Sequence, residues 1–327
     1  MKAAVIESQG GIENIVYRDF PDPEIRPDDV KLRVHACGLN HFDIFVRRGM
    51  PGWPVKMPFI SGGDIAGEIA ELGSEVTGWK VGDRCVVHPE TPDGMMGEVV
   101  YGGMAQYCRV PQAHLIKLDE RLSYTQGAAI PINFGTTYRM LFTNGEMKGG
   151  ELVLILGASG GVGMAAVQVC KAYDCTVIAC AGSDEKCERL KNEMGADYVI
   201  NYSKDDFSRE AWKISQKKGV DICVNFTGGD TWVPSIRAMA HHGKLITVGA
   251  TAGFDPATDI RYIWQREIRI IGSNSYSTED ITQGMVGVAE GRYKLPEIRT
   301  FPLQELGEAE RVMEERQLFG KIVMLVP

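Results

Sequence analysis

The sequence predicts an α/β protein in which a small β-barrel precedes a doubly wound parallel sheet of six strands. From residue 126 onward, candidate strands start roughly every 23 residues, and the segments between them have helical periodicity. Before residue 126 the chain consists of short strands interrupted by Gly and Pro. Helical crossovers between regularly spaced strands are typical of parallel sheets. The six strands are expected to begin near Leu152, Thr176, Tyr198, Asp221, Lys244 and Ile268.

The N-terminal region has the alternating pattern of antiparallel strands. Apolar and polar residues alternate along residues 29–39, with Val30, Leu32, Val34 and Ala36 on one face and Lys31, Arg33 and His35 on the other. This alternation predicts a half-buried strand. Further strands are predicted within 65–69, 82–87 and 104–110, with a loop over 88–103. Many short strands with frequent turns predict a small barrel.

Composition excludes several classes of protein. A chain of 327 residues is long enough for two domains, and its net charge of −8 disfavours nucleic acid and anionic membranes as partners. No apolar run reaches the roughly 18 residues of a membrane-spanning helix, and the N-terminal apolar run is too short for a signal peptide. None of the eight cysteines forms a Cys-x-x-Cys pair. We therefore expect reduced, buried thiols and a cytoplasmic protein.

The first strand of the parallel sheet leads into a glycine-rich turn. Five apolar residues, 152–156, precede the motif Gly157-x-x-Gly160-Gly161-x-Gly163, and helical apolar spacing follows. A strand, a tight glycine turn and a helix are the context of a dinucleotide fingerprint, in which the helix N-terminus binds a pyrophosphate. The spacing is a variant of the usual one, and the alternative is a strand–turn–helix unit whose glycines bind no nucleotide. The missing Gly-Lys-Ser/Thr argues against a P-loop.

The end of the second strand predicts which dinucleotide binds. NAD-specific units place an acidic residue there, on the ribose 2′-hydroxyl. Here residues 181–183 are Ala-Gly-Ser; Ser183 can donate a hydrogen bond to a 2′-phosphate, and Lys186 can reach it. Asp184 and Glu185 lie nearby, but we expect Asp184 to cap the next helix and Glu185 to face water. We therefore predict NADP(H).

Seven motifs, in this order and spacing, resemble those of the medium-chain dehydrogenase/reductase superfamily, which includes alcohol dehydrogenases and quinone oxidoreductases. They are Ala36-Cys37-Gly38-Leu39-Asn40-His41-Phe42-Asp43, Gly62-Gly63-Asp64-Ile65-Ala66-Gly67, Gly78-x-x-Val81-Gly82-Asp83-Arg84, Gly103-x-Ala105-Gln106-Tyr107, Ala128-Ala129-Ile130-Pro131, Thr136-Thr137-Tyr138 and the glycine turn. The resemblance covers the whole chain. It implies a GroES-like β-barrel catalytic domain (1–125), a Rossmann NADP-binding domain (126–272) and a C-terminal return segment of the catalytic domain (273–327), with the active site in the cleft.

The resemblance also bears on zinc. Zinc-type members have Cys in place of Asn40 and His in place of Gly63, and their third catalytic ligand falls near Ile132. A catalytic zinc normally takes three protein ligands, and Asp64 alone cannot hold it. The four closely spaced cysteines of their structural zinc lobe are also missing. The chain therefore looks like the zinc-free quinone oxidoreductase (zeta-crystallin-like) branch, and we expect no metal site.

The same comparison implies the site residues. As catalytic candidates it gives Asn40, His41, Asp43 and Tyr138, with Asp43 expected to fix the local loop. As cofactor-binding candidates it gives Asn40, Thr136, Ser159, Gly160, Gly161, Val162, Gly163, Gly182, Ser183, Lys186, Tyr202, Val248, Gly249, Ala250, Ser273 and Asn274. Relatives often carry a Tyr where this chain has Phe45, so His41, Tyr138 or a water molecule would deliver the proton. The Arg47–Arg48 pair is expected to be a solvated face, with an acidic substrate as the alternative.

Without zinc no Lewis acid polarises a carbonyl strongly, so hydride addition to a conjugated acceptor is easier than alcohol oxidation. The resemblance thus implies NADPH-dependent reduction of a quinone or an α,β-unsaturated carbonyl: enone, enal or enoyl thioester. A zinc-type alcohol dehydrogenase and a non-catalytic NADPH-binding structural or regulatory protein are the alternatives. The sixth strand is expected at an exposed sheet edge, where family members pair, so a homodimer or homotetramer is expected.

Overall fold

The computed structural model describes residues 1–50 and 54–327. The strands are β1 Lys2–Ile6, β2 Ile15–Asp19, β3 Asp29–Gly38, β4 Asp64–Leu72, β5 Arg84–Val87, β6 Glu90–Thr91, β7 Gly94–Met95, β8 Tyr107–Pro111, β9 Leu115–Lys117, β10 Leu152–Ile155, β11 Thr176–Ala181, β12 Tyr198–Asn201, β13 Val220–Asn225, β14 Met239–Thr247, β15 Arg269–Gly272, β16 Ile298–Pro302 and β17 Lys321–Leu325. The α-helices are α1 His41–Arg48, α2 Tyr124–Gly127, α3 Pro131–Tyr138, α4 Gly161–Ala172, α5 Asp184–Asn192, α6 Phe207–Ile214, α7 Trp232–Ala238, α8 Ile260–Arg266, α9 Thr278–Ala289 and α10 Leu306–Glu314.

The chain divides into two compact units. The first unit comprises Met1–Ile132, Ser277–Ala289 and Glu297–Pro327, and the second comprises Asn133–Tyr276 and Glu290–Pro296. The sequence placed the boundaries after residues 125 and 272. In the structure, residues 126–132 belong to the first unit, whereas residues 273–276 and 290–296 belong to the second.

A seven-stranded sheet forms the centre of the first unit. Its order is β16-β17-β3-β4-β5-β9, and β8 also pairs with β3. β3 alternates buried and more exposed residues as predicted, because only one of its faces packs on the core. Near the C-terminus, β17 pairs antiparallel with β3, so Leu325 lies opposite Ala36. The predicted loop over 88–103 contains the two-residue strands β6 and β7.

The second unit contains the predicted parallel sheet. Its six strands have the order β12-β11-β10-β13-β14-β15, and all pairs are parallel. Numbered along the chain this is 3-2-1-4-5-6, the order of a Rossmann fold. The order reverses between β10 and β13, and the glycine turn follows β10. The predicted fold class is confirmed.

All eight cysteines are buried free thiols. Within residues 1–50 and 54–327, no helix is long and apolar enough to cross a membrane.

Candidate functional site

The glycine turn in the second unit has the geometry that a dinucleotide needs. Gly157 has φ +66°, a conformation that favours glycine. A Cβ at Gly163 would lie 2.5 Å from the carbonyl oxygen of Gly157 and 2.7 Å from Cα of Ala158. The missing side chain therefore lets α4 pack closely against the strand end, which is the third glycine's role in dinucleotide-binding turns.

Helix α4 begins directly in this turn. Gly160 is its N-cap residue and provides no side chain for the first-turn N–H groups. The amides of Gly161, Val162 and Gly163 thus have no acceptor within the helix, and the positive end of the helix dipole lies beside them. This terminus lies at the point where the strand order reverses, where α/β sheets bind their ligands. The turn therefore fits the pyrophosphate of a dinucleotide.

The end of β11 carries the residues predicted to select NADP(H). Gly182 is exposed, and a Cβ there would lie 3.5 Å from the Tyr202 hydroxyl, so the two residues are neighbours. Ser183 is the N-cap of α5, and its hydroxyl oxygen accepts a bond from the Lys186 amide at 3.2 Å. Because a hydroxyl accepts and donates at once, Ser183 keeps its proton for a further acceptor. The structure thus brings Gly182, Ser183, Lys186 and Tyr202 together.

The nearby acid is arranged differently from the prediction. Ser183, not Asp184, caps α5, because Ser183 is the residue that precedes the helix and Asp184 is already its first helical residue. Asp184 instead accepts a bond from the Asn201 amide at 2.7 Å and forms an ion pair with Lys204. Lys204 and the Asn201 amide hold the pKa of Asp184 below its usual value. Lys204 was not singled out from the sequence, because exposed lysines are common and only the fold places this one near Ser183.

The remaining cofactor candidates are spread over the second unit. Thr136 is half-buried on α3, and Val248, Gly249 and Ala250 follow β14. Ser273 follows β15, and its hydroxyl accepts a bond from the Asn144 amide at 2.9 Å. Ser159 and Gly160 precede α4, and Asn274 is exposed. Apart from Thr136, which lies on α3, these residues lie in loops that follow the carboxyl ends of strands.

In the first unit, Asp43 fixes the loop that leads into α1. One carboxylate oxygen accepts the backbone N–H of Asn40 at 2.8 Å, and the other accepts that of Gly62 at 2.8 Å. The side chain is fully buried, and burial raises the pKa of Asp43 well above its usual value. Asp43 thus connects two of the predicted motifs and does not face a substrate.

Two of the positions that match zinc ligands, Asn40 and Ile132, are hydrogen-bonded to a buried Lys321–Asp64 ion pair. The ammonium of Lys321 lies 2.7 Å from Oδ2 of Asp64 and 2.6 Å from Oδ1 of Asn40. The amide nitrogen of Asn40 donates to the same Asp64 oxygen at 2.9 Å. Oδ1 of Asp64 accepts the backbone N–H of Ile132 at 2.7 Å. The Lys321 and Asp64 side chains are 3% and 0% exposed, respectively. The buried Asp64 carboxylate therefore already has the ammonium of Lys321 as its cation.

No group of three or more His, Cys, Asp and Glu suited to a metal ion occurs among residues 1–50 and 54–327. Lys321 was missed at the level of the sequence. It opens an ordinary apolar strand near the C-terminus, and its spacing indicates nothing about burial. The available signal was weak: a lysine in an otherwise buried strand is rarely fully buried unless it is paired.

Two proton donors were predicted, and the structure treats them differently. His41 is exposed on the first residue of α1, yet desolvation by its surroundings lowers the pKa of His41, and the charges of Lys321 and Arg316 lower it further. Near neutral pH the ring is therefore a proton acceptor or a relay rather than a cation.

Tyr138 is buried in an aromatic cluster of the second unit. Its hydroxyl lies 2.6 Å from that of Tyr293, and its ring packs against Phe142 with ring centroids 5.2 Å apart. Burial, followed by the hydrogen bond with Tyr293, raises the pKa of Tyr138 well above its usual value. A hydroxyl so buried and bonded disfavours the prediction that Tyr138 supplies a proton.

The expectation of a solvated Arg47–Arg48 face is wrong for Arg47. Its side chain is 1% exposed, and it pairs with Glu310 and, at 2.5 Å, with Glu314 of α10. It also donates to the carbonyl of Gly10 at 2.6 Å. Arg48 is 60% exposed and pairs with Glu314 at 2.8 Å. The guanidinium of Arg47 is thus paired inside the fold with two carboxylates of α10, so it is not available to bind an acidic substrate.

Known proteins share this fold and these motifs. The family model "Alcohol dehydrogenase GroES-like domain" matches residues 26–120, and the model "Zinc-binding dehydrogenase" matches residues 161–290. A human protein named quinone oxidoreductase is 30% identical over 100% of this chain and 98% of its own length. The solved structure of a quinone oxidoreductase from Coxiella burnetii is 29% identical, with a TM-score of 0.86, over 100% of this chain and 99% of its own. A structure described as an NAD-dependent alcohol dehydrogenase is 32% identical, with a TM-score of 0.92, over 100% of both chains.

The chain therefore belongs to the medium-chain dehydrogenase/reductase superfamily, and these relatives support an oxidoreductase that uses a nicotinamide cofactor on small molecules. Within that superfamily it falls in the quinone oxidoreductase (zeta-crystallin-like) branch.

Proposed function

We propose that this chain is a zinc-independent, NADPH-dependent reductase that transfers hydride to a quinone or to an α,β-unsaturated carbonyl compound. The observation that carries the proposal is the Lys321–Asp64 ion pair. It lies among positions that match zinc ligands, and two of them, Asn40 and Ile132, take part through an amide and a backbone N–H. Asp64, the acid that follows Gly63, already has a cation as its partner in Lys321.

The preference for NADPH rests on the end of β11. No acid occupies residues 180–182, and Asp184 is engaged by Asn201 and Lys204. Ser183 can donate to a 2′-phosphate, and Lys186 and Tyr202 lie on the elements beside it. An uncompensated carboxylate would repel that phosphate, whereas a hydroxyl and an ammonium attract it.

The bound nicotinamide would supply the hydride. We propose that the amides of residues 159–163 hold the pyrophosphate, and that Thr136, residues 248–250, Ser273 and Asn274 contact the rest of the cofactor. In the first unit, Asn40 has both amide hydrogens directed to internal acceptors, Asp64 and the carbonyl of Gly38. It is therefore better suited to shaping the site than to donating to a substrate oxygen. Protonation of the reduced acceptor is left to His41, as a relay, or to water.

A homodimer or homotetramer is also proposed. β15 forms an edge of the parallel sheet, and its Ile270 is 40% exposed. An exposed apolar edge favours pairing with a second strand. Light scattering tests this assembly, and a monomer at micromolar concentration contradicts it.

Two measurements on the purified protein test the proposed reaction. NADPH oxidation is followed at 340 nm with 1,4-benzoquinone and with a 2-alkenal, before and after dialysis against a chelator, and zinc is quantified by mass spectrometry. We expect turnover with at least one acceptor, unaffected by the chelator, and far less than one zinc per chain. Stoichiometric zinc with chelator-sensitive alcohol oxidation indicates a zinc-type dehydrogenase instead. Tight NADPH binding without turnover of any acceptor indicates a non-catalytic relative.

A further inference from the structure

Lys321 is a buried lysine of the first unit, and the groups around its ammonium satisfy its charge and its hydrogen bonds. The ammonium has one carboxylate, Asp64, and one amide oxygen, that of Asn40, within 2.7 Å. Its stem passes over Gly38, where a Cβ would lie 2.9 Å from Cε of Lys321. The same Cβ would lie 2.3 Å from the carbonyl oxygen of Ala128 and 2.9 Å from Cβ of Asp64, so only glycine fits beside the lysine stem here.

The ammonium fixes the orientation of the Asn40 amide. An ammonium only donates hydrogen bonds, so the amide oxygen must face Lys321. The amide nitrogen then points to Asp64 at 2.9 Å and to the carbonyl oxygen of Gly38 at 3.4 Å. Asp64 and the Gly38 carbonyl only accept hydrogen bonds, so they favour the same orientation, and the ammonium supplies the donor that the amide oxygen would otherwise lack.

Asn40 is also the residue from which α1 begins. Its backbone N–H binds Asp43 at 2.8 Å, and the next residue is His41. The position of the Asn40 side chain is thus coupled, through its own backbone, to the first turn of α1. The ammonium of Lys321 is therefore linked, through Asn40, to the first turn of α1, which carries the catalytic candidates His41 and Asp43.

We propose that Lys321 is a positioning residue of the reaction, a fixed positive charge inside the chain that holds the Asn40 amide oxygen and pairs with Asp64. Lys321 is 2% exposed, so it acts through Asn40 and Asp64 and does not itself touch the substrate. This inference rests on the proposed zinc-independent reduction. Its content is that the ammonium fixes the amide and the α1 N-terminus in the arrangement that supports turnover.

A merely structural ion pair would behave differently, and a double variant separates the two roles. Lys321→Met leaves the Asp64 carboxylate buried and without its cation, which destabilises any fold. In Lys321→Met/Asp64→Asn neither charge remains, so the stability is largely restored. A purely structural pair predicts that turnover is restored too. A positioning residue predicts that it is not, because the Asn40 amide has lost the donor that orients it.

The experiment compares the wild type, the double variant and the control Lys31→Met, which removes a lysine of the same unit paired with Asp22 at 2.6 Å. Thermal unfolding, the NADPH dissociation constant, and kcat and KM for 1,4-benzoquinone are measured. In the double variant we expect an NADPH dissociation constant and a KM within threefold of wild type and a kcat at least tenfold lower. The control should keep its kcat within twofold. A folded double variant with kcat within twofold of wild type overturns the proposal.

A second readout does not depend on turnover. The side-chain amide of Asn40 is followed by NMR in ¹⁵N-labelled protein, where we expect slow hydrogen exchange in the wild type and at least tenfold faster exchange in the double variant. Unchanged exchange overturns the inference even if the wild type is active. A wild type that reduces no acceptor refutes the proposed function, and the amide exchange then still shows whether Lys321 fixes Asn40.

Discussion

The substitution Ser183→Asp tests the cofactor preference with little disturbance of the fold. The Ser183 hydroxyl accepts the Lys186 amide at 3.2 Å as the N-cap of α5. Asp is an equally good N-cap residue, so the cap, worth about 1 kcal/mol, is kept. The substitution therefore changes mainly the charge beside the proposed 2′-phosphate.

The size of the effect follows from two contributions. A hydrogen bond to a charged group is worth about 1.5–3 kcal/mol, and Ser183→Asp removes the hydroxyl that donates it. The new carboxylate also repels the phosphate, by about 1–4 kcal/mol per unit charge at 4 Å between bulk water and a protein surface. Gly182 is exposed, which favours the lower half of that range. The sum of roughly 2.5–5.5 kcal/mol corresponds to about a 10²- to 10⁴-fold lower kcat/KM for NADPH.

With NADH the same carboxylate can accept a bond from the ribose 2′-hydroxyl, so kcat/KM should stay the same or rise. The assay measures kcat/KM for both cofactors with 1,4-benzoquinone, together with the melting temperature. Ser183→Thr, which keeps both the cap and a hydroxyl, is the control and should retain the wild-type preference. An unchanged ratio of NADPH to NADH in folded Ser183→Asp would refute the assignment of this strand end to the 2′-phosphate. A wild type that prefers NADH would do the same.

Two further substitutions test the structural roles assigned to predicted site residues. Tyr138→Phe removes the hydroxyl bonded to Tyr293 and should lower the free energy of unfolding by about 1 kcal/mol, while kcat stays within twofold of wild type. A tenfold loss of kcat at unchanged NADPH affinity would instead support Tyr138 as a proton donor. Arg47→Met leaves Glu310 buried without its partner and should lower the free energy of unfolding in urea by about 3–5 kcal/mol. The matched control Arg48→Met, at an exposed ion pair, should lower it by less than about 1 kcal/mol. Equal losses in the two variants would contradict the difference in burial between the two arginines.

The agreement between sequence and fold is closest where the pattern is local. Each strand of the parallel sheet begins within a few residues of its expected start, apart from β14, which begins at Met239 rather than near Lys244. The apolar runs and the helical periodicity between them are properties of neighbouring residues, so the sequence is enough to show them. The glycine turn is local in the same sense. Gly157 needs its positive φ and Gly163 its close approach within seven residues.

The assignments that failed or were incomplete concern charged side chains. Asp184 was expected to cap α5, but the cap went to Ser183, and Asp184 paired with Lys204 across the next strand. Arg47 was expected to be solvated, although Glu310, 263 residues away, buries it. Charged residues are usually exposed, so a local pattern gives no reason to expect a buried one.

By itself, the sequence determined the two-part organisation, the doubly wound sheet, the glycine turn, and the Asn and Gly at positions 40 and 63, where zinc-type members carry Cys and His. Only the tertiary structure decided which charged side chain contacts these positions. Lys321 reaches Asn40 across 281 residues of chain and Asp64 across 257. The free energy of a buried ammonium depends on whether a carboxylate meets it inside the fold, and the return of β17 to β3 is what brings the two together.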